Sequence, residues 1–307
     1  MKKSFKLFLA AAFLVTEFFV VALPLMITSA KADGHPIQAI THAGFGGGTD
    51  VTTRMMLLRT RRYLKQDMQL VNKKGGGGAA SMDYMMTLPA DGQHTLTWTT
   101  GHAVSMALGK TKVKLSDMQP LARGTDDPQL FVVNCKNEIK DAKKFISAQK
   151  SKSLKYGTTH VGGIDDVSAI AFTKKGKLTD PTIVPYKGVG PIKTNLIKGD
   201  IDVGVLNLGE AVTEIEDGTL CVSVVLASNR MEKLSNVPTA TELGIPVVLS
   251  TVRGFVTRKG VPADRKKQLE DAMIKAMEHK YFQSFLTDIG LDSTSVVGAD
   301  EWGKQME

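Results

Sequence analysis

Several times along this chain a short apolar run ends in a glycine-rich bend, and the bend opens a helix. The fullest instance is Ile40-Thr41-His42-Ala43-Gly44-Phe45-Gly46-Gly47-Gly48-Thr49-Asp50, followed by a helical pattern over 51–64. Such a junction aims bare backbone N–H groups and the positive end of a helix dipole at one point, a setting for a carboxylate or a phosphate. Thr49 or Asp50 can cap the first turn of that helix. The rhythm returns as a strand at 68–71, the bend Lys73-Lys74-Gly75-Gly76-Gly77-Gly78 and a helix at 79–87. A turn at Pro89-Ala90-Asp91-Gly92 then leads to a strand at 94–99. In the second half a strand at 130–133 and a helix at 141–149 precede Tyr156-Gly157-Thr158-Thr159-His160-Val161-Gly162-Gly163, which opens a helix over 165–172. A further run at 182–186 passes through Lys187-Gly188-Val189-Gly190 into another helix. Strands at 202–206 and 222–227 follow, and Leu269, Met273, Ala276 and Met277 mark one face of a helix over 264–285. This alternation predicts an α/β chain of mainly parallel sheets flanked by helices. Ligands in such sheets sit at the strand C-termini, and two such domains facing each other enclose a cleft there.

The first thirty residues read as a leader rather than as fold. Lys2, Lys3 and Lys6 precede an apolar stretch over 7–27 that Glu17 and Pro24 interrupt, and Ala30-Lys31-Ala32 offers small residues for cleavage after Ala32. An uncleaved anchor of similar length is the alternative. The leader carries four lysines and one glutamate, so its removal takes the net charge from +8 to +5. That mild excess, with no dense Lys/Arg block and no interleaved aromatics, argues against nucleic acid and favours small anions. The remaining chain of about 275 residues has the length of two domains.

The bends resemble catalytic motifs only in part. Gly44-Phe45-Gly46-Gly47-Gly48-Thr49 approaches the dinucleotide fingerprint, but its third glycine is Thr49, and Asn72 stands where a ribose-binding carboxylate is expected. A turn that merely requires positive φ is the other reading of such a bend. Gly109-Lys110-Thr111 lacks the phosphate-loop glycine five positions earlier, which is Val104. No Gly-x-Ser-x-Gly elbow occurs. Asp165-Asp166 is either a carboxylate pair for acid–base or metal chemistry, or a capping pair at a helix start. Neither cysteine has a second Cys or a His at metal-ligand spacing, and an exported chain permits a disulfide. No enzyme, cofactor or metal site is expected.

In order along the chain, Phe45 to Asp50 with Arg54, Asn72 with Gly75 to Gly78, Pro89-Ala90-Asp91-Gly92 with Thr95-Leu96, Val184-Pro185-Tyr186-Lys187-Gly188, Gly199-Asp200-Ile201-Asp202, and Val237-Pro238-Thr239 with Glu242 and Gly244 resemble the tripartite tricarboxylate transporter family of periplasmic solute receptors, also called Bug proteins. The resemblance implies a two-domain Venus-flytrap receptor, of the periplasmic-binding-protein fold, that binds a small carboxylate and passes it transiently to membrane permease subunits. It implies a first domain at 33–131 and 228–307, a second at 132–227, a monomer, and a periplasmic location.

The ligand would be di- or tricarboxylic or aromatic, held largely by backbone groups and bridging waters. Ala43, Gly44, Phe45, Gly46, Gly47, Gly48, Thr49 and Asp50 would hold it from one domain. Tyr156, Gly157, Thr158, Thr159, His160, Gly162, Gly163 and Asp165, with Tyr186, Lys187 and Gly188, would meet it from the other. Thr100, Gly101, His102, Ser105 and Asn207 would line the cleft, with Lys187, His160 and His102 reading the far end of the ligand. His42 and Asp166 depart from the family's usual residues. In this architecture strands at 130–134 and 222–227 cross between domains; run antiparallel, they bring Cys135 beside Cys221 and predict a disulfide. Competing readings are an exported α/β enzyme acting on a small anion, and a receptor for a sensor kinase.

Overall fold

The computed structural model describes residues 35–159 and 161–307; the leader at 1–32, its cleavage after Ala32, and His160 lie outside the described residues. From the N-terminal end, β1 (Ile37–Thr41), α1 (Gly48–Leu64), β2 (Met68–Asn72), α2 (Ala79–Thr87), β3 (His94–Thr99) and α3 (Thr100–Ala107) lead to a long strand, β4 (Met118–Pro128). β1 pairs in parallel with β2 and β3, each pairing made by a crossover through a helix. After Gln129 alone, β5 (Leu130–Asn134) starts a second sheet. It is completed by α4 (Ala142–Ser151), β6 (Lys155–Thr158), α5 (Ile164–Lys175), β7 (Thr182–Pro185), α6 (Val189–Lys198), β8 (Val203–Leu206), α7 (Leu208–Glu216) and β9 (Leu220–Val225). The chain then returns to the first sheet with β10 (Ser250–Arg258), α8 (Ala263–Glu278), α9 (Lys280–Asp288), β11 (Val297–Gly298) and α10 (Ala299–Met306).

Strand order is β11-β4-β10-β3-β1-β2 in the first sheet and β7-β6-β8-β5-β9 in the second. Both sheets are mixed. Their glycine-loop strands run parallel, whereas β4, β10 and β11, and β5 with its neighbours β8 and β9, are antiparallel. Helices cover both faces, so strands are buried on both sides; all four residues of β8 are buried. On the first sheet, Met56 of α1 and Met273 and Met277 of α8 bury one face with Phe255, and Trp302 of α10 packs with Trp98 and Met82 on the other. On the second sheet, Phe131 and Phe145 stack at 5.7 Å, and Tyr156 and Phe172 meet Phe131 edge to face, Phe172 at 4.9 Å.

The sheets exchange the chain at one place. Gln129 donates its N–H to the Leu249 carbonyl at 3.0 Å and accepts from the Leu226 N–H at 2.9 Å, and Leu249 donates to Leu226 at 2.9 Å. Outgoing and returning segments are thus bonded where they pass. The fully buried Gln129 side chain donates to Thr251 at 2.6 Å. Met231, Leu234, Ala240, Ile245 and Val247 lie in the cores of the second sheet, so the segment expected in the first domain from 228 onward packs against the second as far as 249.

The helix expected over 264–285 is two helices. His279 is extended (φ −69°, ψ 144°) and ends α8, and its ring Nδ1 accepts the Tyr281 N–H at 3.3 Å to start α9. The apolar spacing runs through the break because Phe282 and Leu286 bury on the same core as Met273 and Met277.

β5 and β9 pair antiparallel, with Val133 opposite Cys221, and Cys135 and Cys221 are bonded with their Cα atoms 5.0 Å apart. The bridge closes a loop of 86 residues that holds most of the second sheet. Reduction, or replacement of both cysteines by serine, is expected to lower the unfolding free energy by about 2–4 kcal/mol in urea titrations, through the entropy returned to the unfolded chain; unchanged midpoints would place the bond outside the fold's stability.

Candidate functional site

Two loops, one on each sheet, are built to the same local plan. After β1 the chain runs through 42–47 to α1, and after β6 through 159–163 to α5. The second half of each loop reads Gly-Gly-x-x-Asp: Gly46-Gly47-Gly48-Thr49-Asp50 and Gly162-Gly163-Ile164-Asp165-Asp166. The first glycine of each has positive φ, 74° at Gly46 and 71° at Gly162, a conformation that disfavours a side chain. The second, Gly47 or Gly163, is the helix N-cap and offers no side chain to it. The aspartate reaches back instead. Gly46 donates its N–H to Asp50 at 3.0 Å and Gly162 donates to Asp166 at 2.6 Å. The acid therefore fixes the loop ahead of the helix without covering the helix end. The earliest helix-type backbone bonds are those of Val51 to the Gly47 carbonyl (3.0 Å) and Val167 to the Gly163 carbonyl (3.1 Å). Among the described residues, the N–H groups of Gly48, Thr49 and Asp50 have no acceptor, and they face an exposed loop.

Asp50 and Asp165 thus shape the loops rather than offering carboxylates to a ligand. Asp50 is fully buried and accepts from Arg54 Nε at 2.9 Å. Arg54 holds its pKa below the usual carboxylate range, and the Gly46 N–H and the charge of Lys74 add to this against the opposing effect of burial. Asp165 accepts from both the N–H and the hydroxyl of Thr159, at 2.8 and 2.6 Å. Asn72 donates its amide to the Ala43 carbonyl, tying the first loop to β2, and Lys74 Nζ sits beside Gly44. At the loop tips, just before the positive-φ glycines, Phe45 and Val161 are 85% and 75% exposed, the most exposed large apolar side chains described. Arg54 lies over the Phe45 ring at 4.5 Å.

Several expected cleft residues are engaged elsewhere. His102 is fully buried; its Nδ1 accepts the Thr99 N–H at 3.0 Å and its Nε2 lies 3.1 Å from the Ser81 hydroxyl. Burial, and next the nearby His42 ring, hold its pKa well below the ordinary histidine value, so it is neutral and cannot act as a cationic reader. It clamps the bend over 75–78 instead, where a Cβ on Gly78 would lie 2.7 Å from its ring. Ser105 does the same, its hydroxyl 3.0 and 2.9 Å from the Gly76 and Gly77 carbonyls, with Gly101 packed behind. Thr100 donates to the Ser250 carbonyl at 3.1 Å. Tyr156 points into the aromatic core and donates its hydroxyl to Gln149 at 3.0 Å, and burial pushes its pKa up. Gly157 lets Ile201 and Tyr186 close on β6, and Thr158 is buried. Tyr186 is part-buried and donates its N–H to Thr158, whereas Lys187 is exposed and Gly188 caps α6.

Asn207 caps α7 and donates its side-chain amide to the Asp127 and Pro128 carbonyls at 2.9 and 3.0 Å, joining the second lobe to the end of β4. Around this junction lie Asp127, Glu210 and Arg253. Arg253, from β10, donates to Asp127 at 3.3 Å, and a Cβ on Gly48 would lie 2.7 Å from its Nη2. Arg253 thus lies against the first residue of α1. Sequence reasoning missed it because β10 and β4 were not read as strands, and their pairing alone sets its position. Burial raises the Asp127 pKa to about 6 despite Arg253, and raises that of Glu210 to about 7, with Asp165 and Asp127 adding to the latter. Among the described residues, no group of His, Cys, Asp or Glu is placed to hold a metal, and no helix is long and apolar enough to cross a membrane.

A raised carboxyl pKa means that the folded chain holds the proton more tightly than the unfolded one, so Glu210 contributes stability below about pH 4.5 that is lost as pH climbs through 7. Glu210→Gln keeps the acceptor for the Asn207 N–H. It is expected to flatten the loss of urea stability between pH 5 and 8 by about 2 kcal/mol. Parallel pH profiles of wild type and variant would assign the proton elsewhere.

The chain resembles known proteins over nearly all of this architecture. Residues 52–301 match the family model described as tripartite tricarboxylate transporter family receptor. BugT from Bordetella pertussis is 27% identical over 220 residues, covering 69% of this chain and 66% of BugT, just under two thirds of that protein. A solved solute-binding protein of the TctC type from Polaromonas superposes with a TM-score of 0.78 at 25% identity, over 88% of this chain and 93% of that one. MatC from Rhodopseudomonas palustris, solved with bound malate, gives 0.70 at 26% identity, over 83% and 88%. The fold is the two-domain periplasmic-binding-protein fold of these structures, and the chain belongs to the tripartite tricarboxylate transporter receptor family.

Proposed function

We propose that this member of the tripartite tricarboxylate transporter receptor family captures a small organic carboxylate between its two lobes and delivers it to a membrane permease, without chemistry on the ligand. The paired Gly-Gly-x-x-Asp loops carry this reading: in each an aspartate orders the loop ahead of a helix start, and at α1 the first-turn N–H groups stay open to an anion. The lobes are 35–128 with 250–307, and 130–249. The ligand's carboxylate meets α1 from one and α5 from the other, and contacts on both faces stabilise the closed form. Phe45 and Val161 at the tips give the lips of the cleft an apolar edge. The malate bound to MatC supports a dicarboxylate of about that size. A periplasmic location is supported by the leader pattern at 1–32 and by the Cys135–Cys221 bridge. The protein acts as a monomer, and transport rather than signalling is its role; adjacent genes for a small and a large membrane subunit would support the first.

Calorimetry of the purified chain against malate, succinate, citrate and benzoate is expected to give saturable 1:1 binding of at least one acid with a micromolar or tighter Kd. Absence of heat and of any thermal shift across the panel would sink the carboxylate reading. Asp50→Asn, which weakens the hold on Gly46, is expected to weaken the best acid about tenfold, a little over 1 kcal/mol. Its thermal midpoint should fall by only a few degrees. An unchanged Kd would show that the loop keeps its shape without the charge.

A further inference from the structure

Arg253 is 7% exposed, and its guanidinium is poorly matched to its protein partners. Nη1 alone is engaged, with Asp127 Oδ2 at 3.3 Å and the Thr125 hydroxyl at 3.4 Å. Nε is buried with no acceptor, Asp127 Oδ1 is buried with no donor, and no hydrogen bond of Nη2 falls on any described residue. A buried arginine kept for an ion pair alone would offer its fork edge to the carboxylate, since a pair held by one long bond leaves the desolvation of both charges poorly compensated. Here the unused donors, Nε and Nη2, are the two that lie side by side along one edge and suit a carboxylate in the plane of the group.

That edge lies against α1. A Cβ on Gly48 would be 2.7 Å from Nη2, 3.3 Å from Cζ and 3.5 Å from Nε, so only glycine admits the guanidinium at the first residue of the helix. A cation beside the positive end of a helix is unfavourable in the empty protein and becomes favourable when an anion sits between them. The N–H groups of Gly48 and Thr49 have no acceptor among the described residues, and the unused arginine edge lies against Gly48 itself.

We propose that Arg253 is the charge partner of the bound acid at the floor of the cleft, its Nη2 and Nε completing with the first turn of α1 a binding pocket for one carboxylate. Asp127 holds the arginine in position from behind. This deepens the carboxylate-receptor reading and rests on it. The ligand is then one whose carboxylate reaches past the loop tips to β10, and Gly48 is required as much for the approach of Arg253 as for the helix start.

The test compares wild type with Arg253→Lys, Arg253→Gln and Arg253→Gln combined with Asp127→Asn, each titrated calorimetrically with malate, succinate, citrate and benzoate. The double variant removes both charges together, so that no unpaired buried carboxylate is left to unfold the chain. Arg253→Gln and the double variant are expected to lose at least thirtyfold in Kd for the acid that wild type binds best, and Arg253→Lys, which keeps a point charge but not the fork, about tenfold. A folded double variant that binds this acid within threefold of wild type overturns the role of Arg253 and leaves the receptor reading intact. Failure of wild type itself to bind any of the four overturns both.

Discussion

The two lobes depend on three backbone hydrogen bonds around Gln129. Residues on either side of it belong to different sheets, and the returning segment is bonded to it through Leu226 and Leu249. One segment passes out and one passes back, and the buried Gln129 bonds the returning segment through its backbone and Thr251 through its side-chain N–H. Everything that faces the cleft takes its position from this crossing. β10 starts beyond it and carries Arg253, α7 starts beside it and sends Asn207 back to the end of β4, and Asp127 sits one residue before Pro128.

The two loops solve a problem that a helix N-terminus poses in any ligand site. The usual side-chain cap satisfies the first-turn donors and removes them from use. In both lobes the cap position is glycine, and an aspartate three residues on satisfies a donor of the preceding loop instead. The loop is thereby ordered without any side chain capping the helix. An acid at a helix start that offers open donors runs against simple charge matching. Yet Asp50 is turned inward and paired with Arg54, so that its charge is balanced within the loop.

Much of this was legible because it is local. The glycine bends, the apolar runs before them and the helices after them lie within a dozen residues of one another, and β1, β2, β3, β6 and β7 fall where those patterns put them. The family resemblance rests on the same bends. The capping role weighed for Asp165-Asp166 is not what the structure shows: Gly163 is the cap, and both acids bond the loop ahead of it. What stayed illegible depends on pairing at long range. β4 reads Met-Gln-Pro-Leu-Ala-Arg-Gly-Thr-Asp-Asp-Pro, too polar for an isolated strand, and becomes one because β10 and β11 bracket it. Side-chain direction was the second gap. Tyr156 and His102 sit at loop boundaries as ligand-contacting residues do. The aromatic core takes the first, and the second finds one ring partner three residues away and the other 21 residues away.

The second lobe's β5 and β9 are fastened at both ends, by the crossing at Gln129 and by the Cys135–Cys221 bridge at the far end of the same ladder. In mechanical terms this makes the strand pair a stiff lever with its pivot at the crossing. The ladder therefore has no loose end at which to fray under load.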